Sequence, residues 1–434
     1  MKRAGRRVAL VGWYPPADPA LPPFIPNLGL YMVAAALDAA GLDDVELRIW
    51  DERDRGPEAV AAEIAAFDPD IVAGSVYVWS LPQILAIAGA LADQDPGRLI
   101  VLGGPSARPN MLAHAPFADA ARRVDVLVEG EGEGAFPPLV ADRRRDLDSL
   151  RGIGGLRLRA NGGWLPTGPG ASAVMDRLAS PYVSGRIPRG GIGIMETYRG
   201  CPFSCSFCEW GVMDAPKNVR GPGSIRAELD AMASLDLRAV LLADAGLNLN
   251  NAAFESLRRA AEDGGRLRDA ALICEVYPTK VRRTHIDFLA GIGSAHIGVG
   301  LQSFDEAVLG EVERRQDEER LPDLLGALRE VSHICTEIIM GLPGDTPEGF
   351  LRSFARAREL GTALRVYHCV VLPSALMARS PKEHALDYDP ASLKMRACLG
   401  WPPGAIDAAR RRMDEEARAA GGHPGDYFWV FPPP

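Results

Sequence analysis

The stretch that decides the fold is the short apolar run Gly191-Ile-Gly-Ile-Met-Glu196, followed after four residues by Cys201-Pro-Phe-Ser-Cys205-Ser-Phe-Cys208. The spacing C-x3-C-x2-C lets one loop present three thiolates to a single metal ion or metal cluster. Thiolates select iron–sulfur clusters, zinc or copper(I). A closed iron–sulfur or zinc site normally takes four protein ligands. Three cysteines therefore leave one metal position for a ligand that is not protein. We expect the chemistry at that open position.

A structural zinc site is a competing interpretation of the same cysteines. It needs a fourth ligand at short spacing, and the next candidates, Cys274 and His285, are remote in sequence. Chance clustering of core cysteines is a further alternative. Seven cysteines, three of them within eight residues, favour a reducing compartment and a metal site over a disulfide framework.

Bulk composition is that of a soluble enzyme. The 434 residues are 47% hydrophobic and 24% charged, and predict two or three domains. A net charge of -9 argues against nucleic acid as a partner. No segment reaches the ~20 apolar residues of a membrane span, and the first apolar run is too short for a signal peptide. We therefore expect a cytoplasmic protein with no membrane partner.

The first part of the chain, residues 1–150, alternates short apolar runs with amphipathic stretches. This pattern predicts parallel strands buried on both faces, which is a doubly wound, Rossmann-like α/β sheet. The dinucleotide fingerprint G-x-G-x-x-G is absent after the first strand. The predicted strands are Val8–Gly12, Val45–Trp50, Ile71–Tyr77, Leu99–Leu102 and Val124–Val128; the predicted helices are Leu28–Ala40, Pro57–Phe67, Pro82–Asp93 and Asn110–Ala121.

A second β/α series follows a linker. Residues 151–190 contain a hairpin signal about Asn161-Gly162-Gly163 and then a segment rich in Pro, Gly and Ser. Residues 191–385 predict about six β/α units, fewer than the eight of a closed TIM barrel, so we expect a partial barrel. Its cysteine loop follows the first strand, at the end of the barrel where active sites lie. Residues 386–434 form a C-terminal extension whose aromatics lid the barrel mouth or cover its open edge.

The first domain resembles the B12-binding domain that precedes many radical S-adenosylmethionine (SAM) enzymes. The matching features are the strand order, Leu102-Gly103-Gly104-Pro105 and Val128-Glu129-Gly130-Glu131. The resemblance implies a corrin across the carboxyl edge of the sheet. Asp-x-His-x-x-Gly is missing, so a histidine ligand to cobalt is not expected. Tyr77 or Trp79 would then lie beneath the cobalt without coordinating it, with core packing as the alternative role.

The second domain resembles the radical SAM superfamily. The resemblance implies that Cys201, Cys205 and Cys208 bind a [4Fe–4S] cluster, that SAM chelates its fourth iron, and that Phe207 packs near adenine. Two further segments match motifs of that superfamily that contact SAM: Gly341 in Thr336-Glu-Ile-Ile-Met-Gly-Leu-Pro-Gly-Asp-Thr346, and the pair Gln302-Ser303. After the second barrel strand the sequence departs from the usual Gly-Gly-Glu-like turn, and Asp244 is the candidate acceptor for the amino group of SAM there. A helix or strand cap is the alternative for Asp244.

Strand parity supplies the candidate catalytic residues, because alternate side chains of a barrel strand face its interior. Glu275 and Tyr277 share one face of the third barrel strand, and Tyr367 shares a face of the sixth with Arg365 and Cys369. An ion pair or a buried hydrogen bond is the structural alternative for each of them.

Together the two resemblances imply a cobalamin-dependent radical SAM enzyme over about residues 7–375. The implied activity is methylation of an unactivated carbon through a 5′-deoxyadenosyl radical and methylcobalamin, on a small-molecule or peptide substrate. An external flavodoxin- or ferredoxin-type electron donor is implied as a partner. A rearrangement, ring contraction or cyclisation without methyl transfer stays open, as does a non-catalytic iron–sulfur or corrin-binding protein. A methylthiotransferase is excluded, since its first domain carries three cluster cysteines and the first cysteine here is Cys201.

Overall fold

The computed structural model of the protein describes residues 5–14, 25–53, 55–142, 146–212, 218–263 and 265–434. The chain divides into two compact units, Met1–Arg189 and Gly190–Pro434. Within the described ranges, no helix is both long and apolar enough to cross a membrane.

The first unit is built on a seven-stranded sheet in the order β2-β1-β3-β4-β5-β6-β7. Strands β1 to β5 are parallel, and β6 and β7 add to the edge at β5 in antiparallel fashion. The order 2-1-3-4-5 is that of a doubly wound sheet, so the predicted fold class is confirmed. The strands are β1 (Arg6–Tyr14), β2 (Val45–Arg53), β3 (Ile71–Ser75), β4 (Leu99–Gly103), β5 (Val126–Val128), β6 (Leu156–Ala160) and β7 (Gly163–Pro166).

Helices connect these strands: α1 (Leu28–Ala39), α2 (Pro57–Phe67), α3 (Leu81–Gln94), α4 (Pro109–Leu112), α5 (Ala115–Ala118) and α6 (Gly132–Ala141). The helix predicted over 110–121 is broken into α4, α5 and a 3-10 turn at Ala120–Arg123, because Pro116 cannot continue the helix before it. Helix α6 escaped prediction since it contains Pro137 and Pro138.

The segment interpreted as a linker begins inside the first sheet. The predicted hairpin forms as β6 and β7, and β6 pairs with β5 through Leu158 opposite Val126. Its two-residue turn holds Asn161 at φ 48° and Gly162 at φ 77°, the left-handed conformations that such a turn requires. The division between the two compact units follows Arg189, at the end of this segment.

The second unit is an open barrel of eight strands in the order β16-β17-β13-β12-β11-β10-β9-β8. Strands β8 to β13 are parallel, so six β/α units form as predicted, with β8 and β16 at the two edges. The barrel strands are β8 (Ile192–Met195), β9 (Ala239–Leu242), β10 (Ala271–Val276), β11 (Ser294–Gln302), β12 (His333–Met340), β13 (Ala363–His368), β16 (His423–Pro424) and β17 (Phe428–Phe431). A separate two-stranded sheet consists of β14 (Asp387–Tyr388) and β15 (Met395–Ala397).

The helices of this unit are α7 (Pro222–Ser234), α8 (Asn251–Glu262), α9 (Arg283–Ala290), α10 (Glu306–Glu311), α11 (Leu321–Arg329), α12 (Pro347–Glu359), α13 (Leu376–Arg379) and α14 (Ala405–Ala419). Burial alternates strictly along β10 and β13. In β10 the apolar Leu272, Cys274 and Val276 are fully buried, and the residues between them are less so. The less buried set, which includes Glu275, therefore faces the barrel interior.

The C-terminal aromatics cover the open edge of the barrel. Strand β17 pairs antiparallel with β13, placing Phe428 beside Tyr367 and Trp429 beside Val366. Trp429 is fully buried, and its indole N–H donates to Asp414 Oδ1 of α14 at 2.6 Å. The sequence predicted that these aromatics either lid the barrel mouth or cover its open edge. The structure shows the second arrangement.

Candidate active site

The cysteine loop leaves β8 at its carboxyl end, where the barrel places its reactive groups. Cys205 is buried, Cys201 and Cys208 are partly exposed, and none forms a disulfide. Burial raises the pKa of the Cys201 thiol, so it holds its proton while no metal is bound. The Cys208 N–H donates to the Cys205 carbonyl at 3.0 Å, which curls the loop on itself.

Asp244, on the loop after β9, braces the entry to the cysteine loop. Its carboxylate accepts the backbone N–H of Thr197 at 2.7 Å and the Thr197 hydroxyl at 2.5 Å. Burial raises the pKa of Asp244 to about 7. The carboxylate is therefore occupied by the loop in this structure, as a cap would be, and its predicted contact with the amino group of SAM stays a prediction.

A second brace comes from the segment after α10. The Ser206 N–H donates to the Val312 carbonyl at 3.1 Å, and the Ser204 hydroxyl donates to Glu313 Oε2 at 2.6 Å. The Cys205 thiol lies 3.7 Å from the Glu313 carbonyl. Glu313 adopts a left-handed φ of 55°, which sequence reasoning did not anticipate.

The three thiols fit an iron–sulfur cluster better than a single metal ion. Within the described part of the chain, no three His, Cys, Asp or Glu side chains converge as a metal-binding group. A zinc ion needs its ligands around one point, whereas a four-iron cluster takes each thiolate on a different iron. The Ser206 hydroxyl, between the second and third cysteines, and Arg314 Nε are buried without a hydrogen-bond partner in the described structure. These groups suit a site that an added group completes.

An acidic cluster lies inside the barrel. Glu337 of β12 accepts hydrogen bonds at Oε1 from Arg365 Nη1 at 3.0 Å and from the Tyr367 hydroxyl at 3.1 Å, both on β13. Glu275 of β10 is hydrogen-bonded to Glu337, and burial together with that neighbouring carboxylate raises the pKa of Glu275 to about 8. Burial also raises the pKa of Glu337. This buried pair of carboxyl groups, with one guanidinium beside Glu337, holds a proton at neutral pH.

Gly298 of β11 makes room for this cluster. A Cβ atom built at that position would lie 2.2 Å from a Glu275 carboxylate oxygen. Parity placed Glu275, Arg365 and Tyr367 correctly on interior faces. Glu337 was missed as a site residue, although it stands in the quoted motif from Thr336 to Thr346 and its parity was available as a signal.

Tyr277 lies apart from the acidic cluster, against the cysteine loop. Its ring stacks on Phe203 at 4.4 Å between centroids, and the Arg314 guanidinium lies 4.1 Å from its centroid. Its hydroxyl donates to the Arg315 carbonyl at 2.7 Å. The structure therefore brings Glu275 and Tyr367 together through Glu337, and places Tyr277 at the rim.

The other four residues predicted to contact SAM lie in different surroundings. Gln302 ends β11 at a left-handed φ of 70° beside a β-bulge, a strained conformation of the kind that clusters at functional sites. Ser303 turns toward α12, 3.4 Å from the Ser353 hydroxyl. Gly341 follows β12 at φ 91°, and Phe207 is partly exposed. Their contacts with SAM stay predictions.

In the first unit, the predicted corrin-facing residues lie on loops at the carboxyl ends of β3, β4 and β5. Tyr77 and Trp79 stack at 4.9 Å with 8° between their planes, and Trp79 is 38% exposed. Gly104 adopts φ 99°, and a Cβ atom there would lie 2.7 Å from the Val76 carbonyl oxygen. The glycine is needed because the loop after β3 passes this close to its backbone. Of the other four predicted residues, Gly103 ends β4, Pro105 follows Gly104, Glu129 pairs with Arg157 at 2.5 Å, and a Cβ at Gly130 (φ 76°) would meet open space.

Comparison with known proteins agrees with this division of the chain. The B12 binding domain matches residues 21–140, and the Radical SAM superfamily matches residues 195–357. The cobalamin-dependent radical SAM methyltransferase TokK of Streptomyces tokunonensis is 30% identical over 71% of this chain and 48% of its own length. The chain joins a B12 binding domain to a radical SAM domain. The two matches fall in separate compact units of the structure.

Further known proteins are similar to this chain in sequence or in fold. The 2-(S-pantetheinyl)-carbapenam-3-carboxylate methyltransferase of Streptantibioticus cattleyicolor is 29% identical over 86% of this chain and 56% of its own length. The chain thus spans about half the length of these curated relatives. TsrM from Kitasatospora setae shares the fold with TM-score 0.67 and 20% identity, over 86% of this chain and 75% of its own. OxsB shares it with TM-score 0.70 and 14% identity, over 96% and 67%.

Proposed function

We propose that this protein is a cobalamin-dependent radical SAM methyltransferase that methylates an unactivated carbon of a small molecule. One observation carries the proposal: a loop with three cysteines outside any disulfide leaves the first strand of an open barrel, in a chain whose separate doubly wound unit matches the B12 binding domain. The two curated relatives above are both named as methyltransferases. Neither a zinc site nor a redox disulfide accounts for three such thiols beside a B12 domain.

Cys201, Cys205 and Cys208 would hold the [4Fe–4S] cluster, and the carboxyl edge of the first sheet would hold cobalamin. When bound, the cluster supplies the electron that cleaves SAM, and cobalamin supplies the methyl group. Asp244 fixes the start of the cysteine loop through Thr197. Tyr277, stacked on Phe203, closes the rim of the barrel beside that loop and excludes water from it.

The acidic cluster is proposed to face the substrate. Glu275 retains a proton at neutral pH and shares it with Glu337, and the Tyr367 hydroxyl donates to Glu337 from the neighbouring strand. The remaining oxygen atoms of this set accept hydrogen bonds from hydroxyl or amide groups and orient the carbon that is to react. We assign Glu275 and Tyr367 to substrate positioning on these contacts.

The proposed substrate is a secondary metabolite of low molecular weight, because one curated relative is named for a pantetheinyl carbapenam carboxylate. The solved structure of TsrM likewise has tryptophan bound as its substrate. An external one-electron donor of the flavodoxin or ferredoxin type is proposed to reduce the cluster. The barrel interior presents acidic and hydroxyl groups rather than a basic groove, which supports a small molecule over nucleic acid.

The test is anaerobic purification and reconstitution of the full chain with iron, sulfide and cobalamin. We expect corrin absorption bands together with a [4Fe–4S] shoulder, and formation of 5′-deoxyadenosine from SAM under reduction. A product that gains the methyl group of labelled SAM supports methyl transfer. 5′-Deoxyadenosine formed with an isomerised or cyclised product would instead assign a rearrangement. A protein that binds neither cofactor would overturn the proposal.

A further inference from the structure

Arg379 at the end of α13 gathers the backbone of the cysteine loop around its guanidinium. Its Nε donates to the Ser374 carbonyl of its own segment at 3.2 Å. Its two terminal nitrogens donate to four carbonyl oxygens of the cysteine loop: those of Ser204 at 3.1 Å, Cys205 at 3.0 Å, Ser206 at 3.4 Å and Cys208 at 2.6 Å. The guanidinium thus lies at the centre of the curled loop.

A second contact locks the same two segments together. The Ser374 N–H donates to Glu209 Oε1 at 2.9 Å, directly after the last cysteine. The cysteine loop is therefore joined to the segment before α13 from both sides. This pairing links residues about 170 positions apart, so no local sequence pattern could have indicated it.

The charge of Arg379 has an unusual environment. In the described part of the chain its hydrogen-bond partners are all carbonyl oxygens, and no carboxylate forms an ion pair with it. Guanidinium groups are always ionised and usually bind carboxylate or phosphate through their fork of donors. Here a full positive charge is held instead against a loop that carries three cysteines. When these cysteines ligate metal as thiolates, each brings a negative charge to the loop.

We propose that Arg379 is a positioning residue for the iron–sulfur cluster: it fixes the curvature that aims the three thiols, and its charge raises the reduction potential of the cluster. The inference rests on the proposed function, since it requires a cluster on Cys201, Cys205 and Cys208. Hydrogen bonds, net charge and solvent exposure set the potential of such clusters. A cation close to the loop stabilises the reduced cluster, which carries one more negative charge.

The two parts of the proposal are separated by two substitutions. Arg379→Lys keeps the positive charge but has three donors on one nitrogen, and cannot hold four carbonyls in a planar fork. Arg379→Gln removes the charge and most of the donors. Arg356→Gln in α12 is the matched control, because Arg356 is an exposed arginine whose partners are Glu318 and Glu359.

The measurements are iron content after anaerobic reconstitution, the rate of iron loss to a chelator, and the midpoint potential of the cluster by redox titration followed by electron paramagnetic resonance. We expect both Arg379 variants to lose iron roughly five- to ten-fold faster, as the loss of one or two hydrogen bonds predicts. We expect a lower midpoint potential in Arg379→Gln and a potential near that of the parent protein in Arg379→Lys. Arg356→Gln should match the parent in all three measurements.

The outcomes distinguish this proposal from the proposed function. A parent protein that binds no cluster contradicts the proposed function itself. A parent that binds a cluster, with iron loss and potential unchanged in both Arg379 variants, overturns the inference about Arg379. An equal fall in potential in the Lys and Gln variants would show that geometry rather than charge sets the potential, and would overturn the electrostatic part. If Arg379→Gln folds poorly by circular dichroism, the Lys variant still tests the loss of iron.

Discussion

At the scale of single residues, the acidic cluster makes a prediction about pH. The pKa of Glu275 is raised by burial and by Glu337 to about 8, above its ordinary value near 4.5. The folded protein therefore retains a proton that the unfolded chain has lost, and stability falls as pH rises from about 4.5 to about 8. Glu275→Gln keeps a donor and removes this titration. At about pH 8.5 we expect its free energy of unfolding to exceed that of the parent by about 1–3 kcal/mol. At about pH 5 we expect the two free energies of unfolding to be nearly equal.

Chemical denaturation at several pH values measures this difference. Glu255→Gln is the control, because Glu255 is exposed on α8 and paired with Arg258; it should shift stability equally at both pH values. A Glu275→Gln variant that loses the same stability at both pH values would contradict the shared proton. Activity is a separate readout, in which we expect the variant to change KM for the substrate more than SAM cleavage.

The stacked pair Tyr77 and Trp79 makes a prediction about cobalt. Trp79 is 38% exposed on the loop after β3 and offers no metal-coordinating atom. If this loop lies beneath the corrin, Trp79→His introduces an imidazole that binds the cobalt. We expect nitrogen hyperfine splitting in the electron paramagnetic resonance spectrum of the Co(II) form of the variant and none in the parent. Trp79→Phe, which keeps the stack, serves as the control, and a spectrum without splitting in Trp79→His would place the cobalt elsewhere.

At the scale of elements, the strands were predictable and the contacts between loops were not. Apolar runs placed β1 to β5 within a few residues and indicated the six β/α units of the barrel, because strands buried on both faces are continuous in the sequence. Parity also placed Glu275 and Tyr367 on interior faces. The partners of the cysteine loop escaped prediction, since Glu313 and Arg379 lie over a hundred residues away in sequence. Helix α6 escaped because its two prolines argue against a helix.

The C-terminal edge strand β17 carries a prediction about stability. Trp429 is fully buried and bonded to Asp414, so Trp429→Ala leaves a large cavity and an unpaired carboxylate between β17 and α14. We expect it to lower the free energy of unfolding by about 3–5 kcal/mol. Trp429→Phe retains most of the volume and should cost about 1–3 kcal/mol through the lost hydrogen bond. Thermal unfolding measures both, and equal costs for the two substitutions would contradict the packing argument.

At the scale of the whole molecule, the two compact units predict that the cofactors bind separately. Each unit has its own sheet, and the cysteine loop is hydrogen-bonded to Glu313 and Arg379 of the second unit. Replacing Cys201, Cys205 and Cys208 by alanine together should therefore abolish the iron–sulfur absorption and SAM cleavage. Corrin binding should persist with an affinity within about three-fold of the parent protein, because its proposed loops belong to the other sheet. Titration with cobalamin under anaerobic conditions measures this affinity. A triple variant that no longer binds the corrin, while it remains folded by circular dichroism, would show that the cluster loop helps to form the cobalamin site.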